Sequence, residues 1–337
     1  MTGGSRLSPG RLLGARPSRV QVAEVASAHL GVLSVAVVFG VLFVFFSLQA
    51  DAFLSTENLL NVARQIAPTI VVATLMTFVI TTGNIDLSVG SVVGLSAAAL
   101  ALLAKTGDPL VALILTLAIG AVVGLFNGYL TAYSRLQSFI VTLAALTAVR
   151  GVALLITQGY STPIRVDWLL AIGQGQFLGI YTSTWIAIVV AAAGWYVFSQ
   201  TRFGRYVVAV GSNAESLRRA GVDIRRVRLW TFVATGVFSA LAGVMVAARL
   251  ASGSSNSGTG FELEVITAVV LGGTSLLGGR GSILGTVLGA LTLGIISNGL
   301  VLLHFDVYWV PITQGIILVV AIFLNSKLFG RIVGRQR

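Results

Sequence analysis

The chain has 337 residues, of which 56% are hydrophobic and only 10% charged, with a mean hydropathy of +0.94; a soluble domain carries roughly 25% charged residues, so this composition reads as an all-α polytopic membrane protein. The net charge of +11 would suit nucleic acid in a soluble chain, but the arginines lie beside apolar runs, where membrane orientation accounts for them and no nucleic-acid partner is expected. The absence of cysteine excludes a disulfide framework, a thiolate metal site and a cysteine nucleophile, and His29 and His304 cannot form a zinc cluster by themselves.

Residues 1–27 hold Arg6, Arg11, Arg16 and Arg19 among Gly, Ser and Pro without apolar periodicity, and read as a disordered basic tail. The first apolar run carries no small-residue cleavage pattern, so it is expected to be a span rather than a removed signal peptide. Scanning for about 20 apolar residues gives about ten transmembrane helices: 28–48, 60–82, 85–104, 109–132, 138–157, 180–199, 228–248, 262–277, 281–303 and 307–325. An even number places both basic tails, 1–27 and 326–337, on one side. The positive-inside rule makes that side the cytoplasm, and acids such as Asp51, Asp108, Glu262 and Asp306 fall opposite.

Between the second and third spans, 81–96 reads TTGNIDLSVGSVVGLS. Gly83 and Asn84 stop one helix, and Asp86 is expected to cap the next. Asp86 reads equally as that structural cap and as a pathway group, because broken helices place transporter sites at mid-membrane. Asn84, Asp86 and Ser88 are therefore candidate substrate-pathway residues, joined by Gly272, Gly273 and Thr274 from a second, related segment at 262–282, ELEVITAVVLGGTSLLGGRGS. Asn127 and Asn298 are polar groups within spans, at matching places in the two halves. Interhelical hydrogen bonding is the commoner role for such residues, and a cavity role is the alternative. Gly281, Gly285 and Gly289 read as a close-packing face, and Arg150 as a side chain snorkelling to the outer surface.

Residues 201–228 form the one long polar island, with Arg202, Arg205, Arg218, Arg219, Arg225, Arg226 and Arg228. Ser212 with Glu215 is a capping-box pattern, Gly221 suits a left-handed C-terminal position, and Arg218 and Arg219 sit at the negative end of the dipole. A short helix is expected at 212–221. The arginines alone require only a cytoplasmic loop; the capping signals suggest a docking surface.

The halves, about 28–178 and 179–325, echo each other. Aligning Asp86 with Glu264 puts Gly94 on Gly272, and GLFNGYL at 124–130 matches GIISNGLVL at 294–302. Two halves of five spans each must be inverted in the membrane. No phosphate-binding G-x-x-x-x-G-K-[ST] sequence exists, and no hydrolase or metalloprotease motif, so an enzyme is not expected, and any ATPase must be another chain.

Three segments, GNIDLSVGSVVGLSAA, AVGSNAESLRRAGVDIRRVRLWTF and GTGFELEVITAVVLGGTSLLGGRGSILGTVLGAL, together resemble the permease subunit of bacterial ABC importers of the ribose, xylose and arabinose type. The resemblance covers roughly 28–325. It implies a pair of permeases in the cytoplasmic membrane, ATPases that bind ATP and Mg on the cytoplasmic face, and an extracytoplasmic sugar-binding protein. It also implies alternating access driven through a coupling helix at 212–221. In that role Ser212, Glu215 and Gly221 would set the helix, Leu217 would fill an ATPase groove, and Asn213, Arg218 and Arg219 would contact the partner. Branched-chain amino acid permeases and secondary transporters share parts of this pattern, and ATP dependence separates the carrier from the importer. A scaffold or receptor would not need a break in each half.

Overall fold

The computed structural model describes residues 19–306 and 308–333, with side chains described from 32 to 323 apart from 307. The outermost parts of both basic tails, 1–18 and 334–337, lie outside the described residues. Twelve helices follow in order: α1 (Arg19–Gln49), α2 (Thr56–Thr81), α3 (Val89–Thr106), α4 (Pro109–Ala132), α5 (Ser138–Thr157), α6 (Asp167–Gln174), α7 (Thr182–Gln200), α8 (Arg202–Arg219), α9 (Ile224–Leu250), α10 (Phe261–Leu271), α11 (Ile283–Leu302) and α12 (Trp309–Val333). Two-residue strands add small ladders: β1 (Thr162–Pro163) pairs with β4 (Ser252–Gly253), and β2 (Gln176–Phe177) with β3 (Ile180–Tyr181).

Each of the ten expected spans contains a helix, and α6 and α8 are additional. Eight helices are long and apolar enough to cross a membrane, and α12 contributes a shorter apolar stretch at Trp309–Phe323. The exception is α10. Its 11 residues rise about 16 Å against a hydrocarbon core of about 30 Å, so the expected span 262–277 is corrected to a half-length helix. Helix starts at Arg19 and continues to Val333, so part of each expected tail is helical. Large apolar side chains such as Val41, Leu48, Val122, Leu155, Val189 and Val319 stand exposed on the outer helices, as a lipid-facing surface requires.

Helices α2 and α9 are the axis of the bundle. Both are largely apolar, and several of their hydroxyls are satisfied within the helix: Thr74, Thr77 and Thr81 donate to the carbonyls of Ile70, Ala73 and Thr77, and Thr235 and Ser239 to those of Thr231 and Thr235. Around them the packing exchanges roles between halves. Helix α4 packs on α9 and α11 on α2; α3 packs on α9 and α10 on α2; α3 packs on α4 and α5, α10 on α11 and α12. Helices α1 and α7 pack on α11 and α2 respectively.

The matched glycines take part in this exchange. A Cβ on Gly124 would meet the α9 backbone at Phe232 and Val233, and one on Gly294 would meet Ile66 of α2. The extended segments cross over in the same way. After α2, Ile85 and Leu87 pack against Ile266 and Val270 of α10; after α9, Gly253, Ser255 and Gly258 lie against Ala97, Gly94 and Gly90 of α3. The Asp86–Glu264 alignment does not follow this correspondence. Asp86 lies in the extended segment before α3, whereas Glu264 lies inside the first turn of α10.

Candidate functional site

Two apolar helices, the long α2 and the short α10, stop abruptly and by the same device. At the end of α2, Gly83 adopts φ +77°, its N–H donates to Ile80 O (2.9 Å), and the Asn84 N–H donates to Val79 O (3.3 Å). At the end of α10, Gly273 adopts φ +88°, its N–H donates to Val270 O (3.0 Å), and the Thr274 N–H donates to Val269 O (3.2 Å). Both are Schellman terminations, which need glycine at the left-handed position. Gly272, Gly273 and Thr274 thus form a helix terminator. Gly272 lies so close to Gly285 that a Cβ would overlap the α11 backbone, and the buried Thr274 Oγ1 accepts from the Ser282 N–H (3.4 Å).

The first break leads into a buried polar chain. Asp86 Oδ1 accepts from the Ser88 N–H (2.9 Å) and Oγ–H (2.6 Å), and Asn127 of α4 donates from Nδ2 to Ser88 Oγ (2.8 Å). Asp86 is 1% exposed and Asn127 fully buried, so Asp86, Ser88 and Asn127 form one internal network. The expectation that Asp86 caps α3 is corrected: Ser88 occupies the N-cap position, and Asp86 closes an Asx turn two residues earlier. The helix starts late because 85–87 stays outside it to seat Ile85 and Leu87 against the cluster of Ile266 and Val270. Asn84 folds back onto Thr82 Oγ1 (2.8 Å). Asn298 stands apart from this network and exchanges two amide hydrogen bonds with Asn58 (3.0 and 2.8 Å), tying α11 to α2.

The polar island folds as α8, which starts at Arg202, ten residues before the expected helix. Thr201 accepts from the Gly204 N–H to cap it. Non-helical angles at Asn213 (φ −157°, ψ 87°) kink it into two parts. The expected Ser212 cap is corrected to Asn213, whose Oδ1 accepts from the Ser216 N–H (3.0 Å); Ser212 instead donates to Val208 O (3.0 Å). Glu215 does not reach back to the cap. It pairs with Arg218 (2.8 Å) and Arg219 (3.2 Å), and the bonds from Arg218 first and Arg219 second hold its carboxyl below the usual value. Gly221 does adopt the left-handed conformation (φ +81°), with the Val222 N–H reaching Leu217 O (3.3 Å). Leu217 is half-buried and packs against the cluster of Val207, Val210 and Val227. The exposed face includes Asn213, Glu215, Ser216, Arg218 and Arg219.

The proximal part of α8 sits on the end of α2 and on the loop that follows α10. A Cβ on Gly211 would overlap Thr81 O and Gly279 N, and one on Gly278 would touch Gly83. The Gly279 N–H donates to Thr81 O (2.8 Å), and Ser212 Oγ donates to Gly279 O (3.4 Å). Residues 278–279, after α10, are therefore clamped between α8 and the end of α2. The sequence reading did not pick out Gly211, Gly278 or Gly279; in a chain with 39 glycines, only the contact identifies them. Beside this junction lies a cavity of about 760 Å³, lined by Gly83, Asn84, the α4–α5 turn, Ala214, Arg218 and the start of α9.

The opposite end of the bundle has its own polar contacts. Arg150 does not snorkel: it donates to Gly258 O (3.2 Å) and lies 4.0 Å from Glu262, holding the segment before α10. Glu264 accepts from Thr69 Oγ1 (2.8 Å), Arg249 donates to Gln65 O (3.2 Å), and the Arg64 guanidinium stacks 4.3 Å from the Tyr181 ring centroid.

Comparison with known proteins places this architecture. The family model described as branched-chain amino acid transport system / permease component matches residues 58–322. The chain is 38% identical over 294 residues to the ribose import permease protein RbsC of Escherichia coli (strain K12), covering 85% of this chain and 91% of the relative. It is 40% identical over 317 residues to the probable ABC transporter permease protein YphD of the same organism, covering 93% and 94%. It is 31% identical over 368 residues to the xylose transport system permease protein XylH of Haemophilus influenzae, covering 90% and 98%. No solved structure matches the chain.

Proposed function

Because the chain belongs to the family of transport-system permease components described above, we propose that it is the membrane subunit of an ATP-driven importer. It would carry a pentose or hexose across the cytoplasmic membrane by alternating access. Its relatives named for ribose and xylose support the sugar class. ATP and Mg are bound by a separate cytoplasmic ATPase, an extracytoplasmic binding protein selects the sugar, and two permease copies or paralogues enclose the path. Both termini and α8 lie in the cytoplasm, because the arginines concentrate in residues 201–228 and in the two tails of the sequence.

One observation carries the mechanism: α8 touches the end of α2 and the loop that follows α10 at once, through Gly211, Thr81 and Gly279. The distal, exposed part of α8 takes the ATPase, and the proximal part passes its displacement to the ends of α2 and α10. A rigid push on α8 moves both helix ends together, and the counterpart packing of the two halves lets one side open as the other closes. The Asp86–Ser88–Asn127 network lies next to the first break and keeps it from unravelling. The test is co-purification: Arg218→Glu with Arg219→Glu reverses the exposed face and should release the ATPase while the permease remains folded in the membrane. Undiminished ATPase association would remove α8 from this role.

A further inference from the structure

The cavity beside α8 is lined by Arg135, Arg218, Arg225 and Arg228. Asp223 is the one carboxylate among its lining residues, and it is already engaged: it accepts from the Arg225 and Arg226 N–H groups and pairs with the Arg226 side chain (3.1 Å). Arg218 is held by Glu215. Among the described residues, Arg135, Arg225 and Arg228 have no carboxylate partner. Arg225 instead leans over the Tyr133 ring (5.8 Å to the centroid).

Two buried polar atoms in this wall are unsatisfied. Thr131, 4% exposed, has no partner for Oγ1, and Arg228 has none for Nε. Buried polar groups are almost always hydrogen-bonded, so these mark a place that a ligand completes. A third source of donors is the start of α5. Its N-cap Gln137 makes no side-chain cap bond, and Gln137, Ser138 and Phe139 line the cavity. A 20-residue helix thereby turns the positive end of its dipole toward three arginines. Arg135 adopts φ +58° in the turn before this helix, a conformation that L side chains seldom take.

Three guanidiniums, a hydroxyl and free backbone N–H groups fit a phosphate-bearing anion. The mouth identifies its source. Leu136 and Phe139 on the rim are exposed, as are Tyr129 and Ile140 on the adjoining faces of α4 and α5, and the Tyr129 and Tyr133 rings stack at 5.3 Å. This apolar, aromatic rim at the end of two membrane helices suits acyl chains and leaves the anion in the cavity. We propose that this cavity is a binding site for the headgroup of an anionic phospholipid, seated on Arg135, Arg225, Arg228 and Thr131 between α4, α5 and α9. A lipid there would lie alongside α8, so membrane charge would bear on its position.

Native mass spectrometry of the full chain, released from nanodiscs of mixed phosphatidylglycerol and phosphatidylcholine, tests this. The wild-type chain should retain phosphatidylglycerol selectively. Arg135→Gln with Arg228→Gln should reduce retention by roughly fivefold per arginine, while Arg202→Gln with Arg205→Gln, outside the cavity lining, should not. Should the double variant fold poorly, Phe139→Glu places a carboxylate on the exposed rim and should give the same loss in a folded chain. Equal retention by the cavity variants overturns the site. Displacement of the lipid by millimolar inorganic phosphate, or loss on adding the ATPase, would assign the arginines to a free anion or to an acidic partner surface and overturn the lipid assignment.

Discussion

Gly211→Ala is the sharpest perturbation of the proposed coupling. The added Cβ would overlap Thr81 O and Gly279 N, so α8 must lift from the junction. Lifting breaks the Ser212 Oγ–H···Gly279 O hydrogen bond of 3.4 Å, worth about 1 kcal/mol net, and accommodating a methyl in a backbone-to-backbone contact costs about 1–3 kcal/mol. Together these shift the docked arrangement of α8 by about 2–4 kcal/mol, on the order of 30- to 1,000-fold in its equilibrium. The exposed residues Asn213, Glu215, Arg218 and Arg219 are untouched, so ATPase association should persist. The assay is reconstitution with ATPase and binding protein, measuring sugar imported and ATP hydrolysed in the same vesicles. The variant should hydrolyse ATP while importing far less sugar per ATP. An unchanged ratio would refute the view that force passes through Gly211 to the two breaks.

Asn213→Ala removes the cap at the kink; hydrogen exchange of residues 214–219 should quicken about fivefold, as loss of about 1 kcal/mol implies, with the rest of the bundle unchanged. The Glu215 carboxyl is held below its usual value by Arg218 and Arg219. Its contribution is therefore complete above the unfolded carboxyl pKa of about 4.3 and is lost as pH falls through the lower folded value. A spin label at Ala220→Cys, unique in a chain with no cysteine, should stay ordered from pH 7 to about 5 and loosen only in stronger acid; loosening near neutrality would contradict the pairing. Asp86→Asn keeps an Oδ1 acceptor for Ser88 and should import at near the wild-type rate, whereas Asp86→Leu strands the buried Ser88 donors and should lower stability by about 2–4 kcal/mol in thermal unfolding. Abolished import by a stable Asp86→Asn chain would show that the charge itself is used.

The spans were legible because a bilayer demands long apolar runs, and the order of elements made the paired halves visible. The GLFNGYL and GIISNGLVL segments mark helices that pack on α9 and α2 through Gly124 and Gly294. Helix ends inside apolar sequence were not legible. Ile85 and Leu87 are as apolar as any helix interior, yet they lie extended against α10; α10 stops at Leu271 because Gly273 turns left-handed. Short-range capping signals placed the α8 helix end at Gly221 correctly but put its internal cap one residue early, since Ser212 bonds to Val208 instead. The packing of Leu217 against its own chain was not legible because its neighbours, Val207 and Val227, lie ten residues away on either side. The arginine-lined cavity draws on the α4–α5 turn and the start of α9, a juxtaposition that only the folded chain makes.

The most direct test of the central claim is uptake of labelled ribose, xylose or arabinose into proteoliposomes containing this permease, its ATPase and the sugar-binding protein. Accumulation of one of these sugars should require all three proteins and ATP, and should be unaffected by collapsing ion gradients. Accumulation by the permease alone, driven by a proton or sodium gradient without ATP, would contradict it.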